Sequence, residues 1–315
     1  MEQQKLKDLV FVDLYLSIDT DEARFRKDRT SIVNTLAVVP PEFKEDLDAL
    51  RHTLASSVLQ DFSVDHGGVR YRIARLVDVH GTWFVLSRGV TQIPKLESLG
   101  HDPAVVAHLQ GLGRQSGLIL IAGATGAGKT TTSAALLQDY LMRYGDVAVT
   151  VEDPPELPLS GEYADGKGRC FQINIEEDDW ELALKASLRY RPRYIFVGEM
   201  RTPGAAFQVL RAAVSGHVVI ATIHAGSVEQ AVEGLVTMAS QRAGNMANIL
   251  VGDSLSAVLH QKLVLQMQST SLFAGSSMGD PVRSLIRESK FGALTTFIEQ
   301  QQAKRDEDRR RAGSK

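Results

Sequence analysis

Cysteine is almost missing from this chain: among 315 residues only Cys170 carries a thiol. A single cysteine excludes an internal disulfide framework and fits a reducing compartment better than a secreted one. Cys170 itself reads as a small, half-buried strand residue. Long apolar runs are missing too. No segment approaches the ~18 consecutive apolar residues of a membrane-crossing helix, and Met1 to Val10 lacks the basic start and apolar core of a secretory leader. The chain is therefore expected in the cytoplasm, reaching a membrane only peripherally, through partners. Nor does charge of one sign dominate, since 35 Lys and Arg stand against 38 Asp and Glu for a net charge of −3. A nucleic-acid binder usually carries a strong basic excess, so nucleic acid is not a favoured partner.

What is present is an ordinary globular composition, 43% hydrophobic and 23% charged. The length exceeds the usual ~100–200 residues of one domain, so two are expected. Residues 1–92 read as a small α+β domain: a strand over Leu9 to Ile18, a helix after Pro40-Pro41, and a hairpin joining Val69 to Val79 with Thr82 to Leu86 across Asp78-Val79-His80-Gly81. Residues 93–113 are rich in proline and glycine and read as a linker.

From residue 114 to about 300, strands alternate with helices: Leu118 to Ala122, Val147 to Val151, Phe171 to Ile175, Tyr194 to Val197 and Val218 to Ile223, with helices over Lys129 to Arg143, Trp180 to Arg189 and Ala205 to Val214. Such alternation predicts an α/β domain with a doubly wound, mostly parallel sheet. Val228 to Met238 and Met246 to Leu265 read as helices, Ser269 to Asp280 as a break, and Pro281 to Gln302 as helix again. Residues 301–315 read as a charged, solvated and partly disordered tail.

Gly123-Ala124-Thr125-Gly126-Ala127-Gly128-Lys129-Thr130 fits G-x-x-x-x-G-K-[ST], the phosphate-binding loop of nucleotide hydrolases, and it follows an apolar strand and opens a helix as that motif requires. Successive N–H groups of such a loop form an anion nest, and the helix adds its positive dipole end. Lys129 is expected to reach the β- and γ-phosphates, Thr130 to hold Mg²⁺ through its hydroxyl, and Thr131 to bond a phosphate nearer the nucleoside. ATP and Mg²⁺ are the cofactors this implies.

Ligands of an open α/β sheet gather beyond the carboxyl ends of its strands. Glu152 follows one strand there and Glu199 follows another, after Gly198. Either glutamate can orient the attacking water or hold the metal, and the sequence does not rank them. Glu199 is the metal candidate beside Thr130, with a rim salt bridge to Arg201 as its plain alternative. His217 and His224 bracket one strand, roughly 20 Å apart at ~3.3 Å per residue, so both cannot meet the same phosphate. His224 lies on the nucleotide side and is the candidate γ-phosphate sensor, whereas His217 reads as a packing residue.

These residues resemble the secretion-motor ATPases, which include type IV pilus motors and the ATPases of type II and type IV secretion. Val149 to Glu156 is similar to their aspartate box, Val197 to Arg201 to their second nucleotide motif, and Gly216-His217 through Thr222-Ile223-His224 to their histidine box. The resemblance implies a RecA-like ATPase domain preceded by a PAS-like domain, a homohexamer, and partners that are inner-membrane platform or secretion-channel proteins. It also implies that arginines of the first domain contact the phosphates, and Arg72 and Arg88 match those places. Pro281 to Glu288 resembles a signature of PilT-like pilus retraction motors, while Arg189-Tyr190-Arg191-Pro192-Arg193 departs from the family's acidic run and leaves DotB-like type IVB secretion ATPases equally open. With one cysteine no four-cysteine zinc module is possible, which weighs against the pilus-extension and type II secretion branch. A nucleotide-gated assembly scaffold with weak hydrolysis is the alternative. A small-molecule kinase would leave the first domain and the two-histidine strand without a role.

Overall fold

The computed structural model describes residues 4–27, 35–88, 92–175 and 179–313. Its internal contacts divide the chain into two units, Met1–Gln92 with Glu156–Pro158, and Ile93–Pro155 with Leu159–Lys315.

The first unit holds β1 (Asp13–Ser17), β2 (Ala23–Arg26), β3 (Ala37–Val38), α1 (Lys44–Leu54), β4 (Asp61–His66), β5 (Val69–Asp78) and β6 (Gly81–Arg88). Its strands form an antiparallel sheet in the order β3-β2-β1-β6-β5-β4. Leu14 and Leu16 of β1, Tyr71 and Ile73 of β5, and Phe84 and Leu86 of β6 alternate into one face, and α1 contributes Leu47, Leu50 and Leu54 at helical spacing. The expected hairpin is present, with Asp78 opposite Gly81 in the register.

The second unit contains α2 (Pro103–Gly111), β7 (Gly117–Ala122), α3 (Lys129–Tyr144), β8 (Asp146–Glu152), β9 (Gly161–Tyr163), β10 (Gly168–Asn174), α4 (Trp180–Ser187), β11 (Tyr194–Val197), α5 (Pro203–Val214), β12 (Val218–Ile223), α6 (Val228–Ala243), α7 (Ala247–Ser254), β13 (Leu255–Leu263), β14 (Met267–Phe273), α8 (Pro281–Arg287) and α9 (Leu294–Gly313). The sheet runs β14-β13-β7-β12-β11-β8-β10-β9, parallel throughout its centre and antiparallel only at the two edges. Every residue of β7, β11 and β12 is buried, as expected for parallel strands covered on both faces.

Four expectations need correction. The linker assigned to residues 93–113 is largely helical and belongs to the second unit: Val105, Val106 and Leu109 are buried, and the Tyr140 hydroxyl donates to Leu109 O at 2.6 Å. Its prolines and glycines mark helix ends instead of a flexible tether, with Pro103 at the first position of α2 and Asp102 capping it. Met246 to Leu265 is not one helix, because after α7 the chain enters β13 beside β7. A strand buried on both faces shows the same unbroken apolar run as a buried helix. Ser269 to Asp280 is correspondingly not a plain break, since β14 runs to Phe273. The charged tail is helical to residue 313, with Arg311 pairing Glu307 at 2.5 Å one turn away and Arg309 pairing Asp102. Residues 314–315 of the expected tail lie outside the described residues.

Candidate functional site

Four adjacent strands, β7, β12, β11 and β8, deliver the candidate residues to one rim because they are parallel and in register. Beyond β7 the loop 123–128 curls into the N-terminus of α3. Gly123 needs to be glycine: its φ is 154°, and a Cβ there would lie 2.4 Å from Gln261 O. Gly128, at φ 83°, turns the chain into α3, whose first residue is Lys129. Lys129 is 9% exposed, and its Nζ donates to Gly123 O at 3.0 Å and Ala124 O at 3.1 Å. Burial pushes the Lys129 pKa down, and the negative charge of Glu199 opposes this. The ammonium therefore rests on loop carbonyls, in the field of the glutamate. Thr130 and Thr131 follow in the first turn, half-buried.

Glu152 closes β8 and is 1% exposed. Its Oε1 accepts from Thr150 Oγ1 at 2.6 Å and from Gln172 Nε2 at 3.0 Å. A buried carboxylate needs such donors, because leaving one without them costs several kcal/mol. Gly198 lies directly against it. Glu199 is held between the side chains of His224 and Arg201, with Oε1 at 2.6 Å from His224 Nε2 and Oε2 at 2.7 Å from both Nε and Nη2 of Arg201. The rim salt bridge offered as the alternative for Glu199 is thus present, and His224 joins it. Arg201 thereby sets a guanidinium beside Glu199.

His217 lies at the other end of β12, where Nδ1 meets Pro192 O at 2.6 Å, a packing role. Arg72 and Arg88 belong to the first unit. Arg72 Nη1 meets Glu156 Oε1 at 2.8 Å, both side chains nearly half exposed. Arg88 donates to Lys7 O and lies over the Phe11 ring at 5.6 Å. Cys170 is buried, and burial pushes its thiol up to about 12, which leaves it protonated.

Sequence reasoning missed several supports of this rim. Gln261, fully buried on β13, donates from Nε2 to Ala127 O at 2.6 Å and so braces the phosphate loop. Thr222 Oγ1 donates to Gly198 O at 2.5 Å. His101, 5% exposed, places Nε2 at 3.2 Å from Thr132 Oγ1, one residue beyond Thr131. Thr222 lies in the stretch that resembles the histidine box, whereas Gln172, Gln261 and His101 belong to no motif, and for the two glutamines the placing on strands is the one signal the sequence carries.

A divalent cation fits this donor set in one way. Among the described residues no group of three or more His, Cys, Asp or Glu side chains could hold a metal by itself. A loop built for phosphates, one threonine hydroxyl and a rim carboxylate match Mg²⁺, which keeps waters and shares the oxygens of a nucleotide.

Residues 60–303 match the family described as type II/IV secretion system protein. The protein YggR of Escherichia coli K12 is 36% identical over 261 residues, covering 80% of this chain and 77% of that one. The type IV pilus retraction ATPase PilT of Pseudomonas aeruginosa is 31% identical over 248 residues, 76% of this chain and 69% of its own. A crystal structure of the pilus retraction motor PilT with bound ADP superposes with a TM-score of 0.74 at 26% identity, covering 93% of this chain and 87% of that one. The Legionella pneumophila ATPase DotB gives 0.73 at 20% identity over 93% and 85%, a likeness of fold. Among the described residues no helix is long and apolar enough to cross a membrane.

Proposed function

This chain belongs to the type II/IV secretion system protein family and is an ATPase with a RecA-like α/β fold, and on that premise we propose that it is a hexameric motor that hydrolyses Mg-ATP to drive a type IV pilus or type IV secretion machine. The observation that carries the reading is the convergence on one rim of Lys129, the buried Glu152, and Glu199 with its partners Arg201 and His224. Lys129 exchanges its loop carbonyls for the β- and γ-phosphates, an exchange favoured because its burial is then matched by full negative charge. Thr130 and Glu199 would hold Mg²⁺, which supplies neutralisation of phosphate charge. Glu152, fixed by two donors and out of water, orients the attacking water and accepts its proton. His224 and Arg201, both on Glu199, are placed to exchange that carboxylate for the γ-phosphate, so that Glu199 is released when nucleotide binds.

In this reading residues 1–92 act as a PAS-like lever on the motor domain, to which residues 93–113 also belong. Arg72 and Arg88 reach the nucleotide of their own or a neighbouring subunit when the lever closes, and hydrolysis swings it. The resemblance of Pro281 to Glu288 and the relation to PilT favour the retraction subclass, with DotB-like secretion as the second subclass. The partner is an inner-membrane platform or secretion-channel protein, which holds the motor at the membrane. The test is ATPase activity across a protein dilution series, read beside sedimentation. Specific activity rises as rings form. A monomer with full, concentration-independent turnover would refute the ring-motor reading, and slow turnover that no partner stimulates would favour the scaffold.

A further inference from the structure

Gln172 lies on β10 facing β8, opposite Thr150 in the register, and no motif contains it. Its carboxamide reaches in two directions. Oε1 accepts from Leu159 N at 3.0 Å and from Ser160 N at 2.8 Å, while Nε2 donates to Glu152 Oε1 at 3.0 Å. The amide orientation follows from the partners themselves: backbone N–H groups only donate, so the oxygen must face them, and the NH₂ is left for the carboxylate. Leu159 is fully buried, so the anchor is fixed. It is also the point at which the chain rejoins the second unit after Glu156–Pro158, which group with the first.

We propose that Gln172 is a positioning residue for hydrolysis: it sets the plane of the Glu152 carboxylate by tying it to the loop at Leu159 and Ser160. The proposal rests on the reading of Glu152 as the carboxylate that orients the water. A carboxylate that is 1% exposed has no bulk water to align it, so its direction is set by its donors. Thr150 bonds it from its own strand, and Gln172 bonds it from the neighbouring one. Two donors from different strands on one oxygen fix both the position of that oxygen and the rotation of the group about its last bond. A hydrophobic residue at 172 would remove both links, and asparagine would fall one methylene short of bridging them. Glutamate keeps an acceptor for the loop N–H groups while replacing the donor by a second negative charge. Like charge at hydrogen-bond distance raises a carboxyl pKa.

The test is steady-state ATP hydrolysis as a function of pH by the full chain carrying Gln172→Glu, Gln172→Asn or Glu152→Gln, with nucleotide affinity measured separately by a fluorescent ATP analogue. Gln172→Glu is expected to move the acid limb of kcat upward by about one pH unit, which lowers kcat about tenfold on that limb. Activity recovers as the pH is raised, and affinity changes less than about threefold. A role in packing alone would lower Tm without touching the pH profile. A parental profile for Gln172→Glu, with Glu152→Gln inactive, overturns the role of Gln172 and leaves Glu152 in place. Parental turnover in Glu152→Gln overturns the reading of Glu152 and this proposal with it. Gln172→Asn, which adds no charge, should lower kcat even on the alkaline plateau, and normal kcat there also overturns the proposal.

Discussion

Gly198→Ala adds one methyl group where the rim backbone lies against Glu152. A Cβ at 198 would lie 3.3 Å from Glu152 Cγ, 3.4 Å from its Cα and 3.5 Å from its Cβ. Carbon atoms settle at about 3.5–4.0 Å, so something must move by a few tenths of an ångström. Gly198 is not free to retreat, because its N–H donates to Val151 O at 2.9 Å and its carbonyl accepts from Thr222 Oγ1 at 2.5 Å. Glu152 must yield instead, against its bonds to Thr150 and Gln172. Overpacking of this kind costs about 1–3 kcal/mol, which for a domain of this size lowers Tm by about 2–12 °C. A 1 Å misplacement of a reacting group costs ~10²-fold, so a few tenths of an ångström corresponds to a loss of about fourfold in kcat. Thermal denaturation and steady-state turnover of the purified variant measure both. Combined with Glu152→Gln, the Tm loss should persist while the further loss in kcat disappears. A variant matching its parent in Tm and kcat would refute the argument that glycine is required here by the approach of Glu152.

Lys129→Ala should remove hydrolysis and weaken nucleotide binding, since it takes away the side-chain cation of the loop, whereas Glu199→Gln should retain binding and lose turnover by orders of magnitude; near-parental rates in either would sink its assignment. Arg72→Ala and Arg88→Ala should each lower kcat more than ATP affinity, with Arg88→Ala alone also lowering the Tm of the first unit because it loses Lys7 O and the Phe11 ring; unchanged kcat in both would dismiss the closing lever. Burial holds the His101 pKa below its ordinary 6.5. Below that pH the unfolded chain binds a proton that the folded chain does not, so stability is full above pH 6.5 and is lost as pH falls toward the folded pKa, by up to about 1.4 kcal/mol per pH unit. Urea denaturation at pH 7.5 and 5.5 should show this loss, and His101→Gln should reduce it; an identical pH dependence in the variant would refute the assignment.

Residues at this rim were legible where chemistry demands a fixed spacing. The phosphate loop could be read because glycines and a lysine at set intervals have few other uses, and β11 and β12 because apolar runs end abruptly at Gly198 and His224. β13 was not legible. Leu255 to Leu259 is as apolar as a buried helix, and only the presence of β7 beside it decides for a strand. Side-chain bonds across long sequence separations were equally hidden: Gln172 meets Glu152 and Gln261 meets Ala127 only because the sheet order makes β10 and β8, and β13 and β7, neighbours. Arg201 was visible as a partner for Glu199, but the shared grip with His224 required the packing of β12 beside β11.

The chain's last helix does something a solvated tail would not. β14 is an edge of the large sheet, and an edge strand offers unpaired N–H and C=O groups to any other strand that drifts near. Gln301 of α9 answers one residue of that edge in full: Phe273 N donates to its Oε1 at 3.0 Å, and its Nε2 donates to Phe273 O at 2.8 Å. A side-chain amide thereby occupies the position that the peptide group of an intruding strand would take. Shortening the chain before Gln301 would uncover an adhesive border, and the defect would appear as aggregation at high concentration before any loss of ATP hydrolysis.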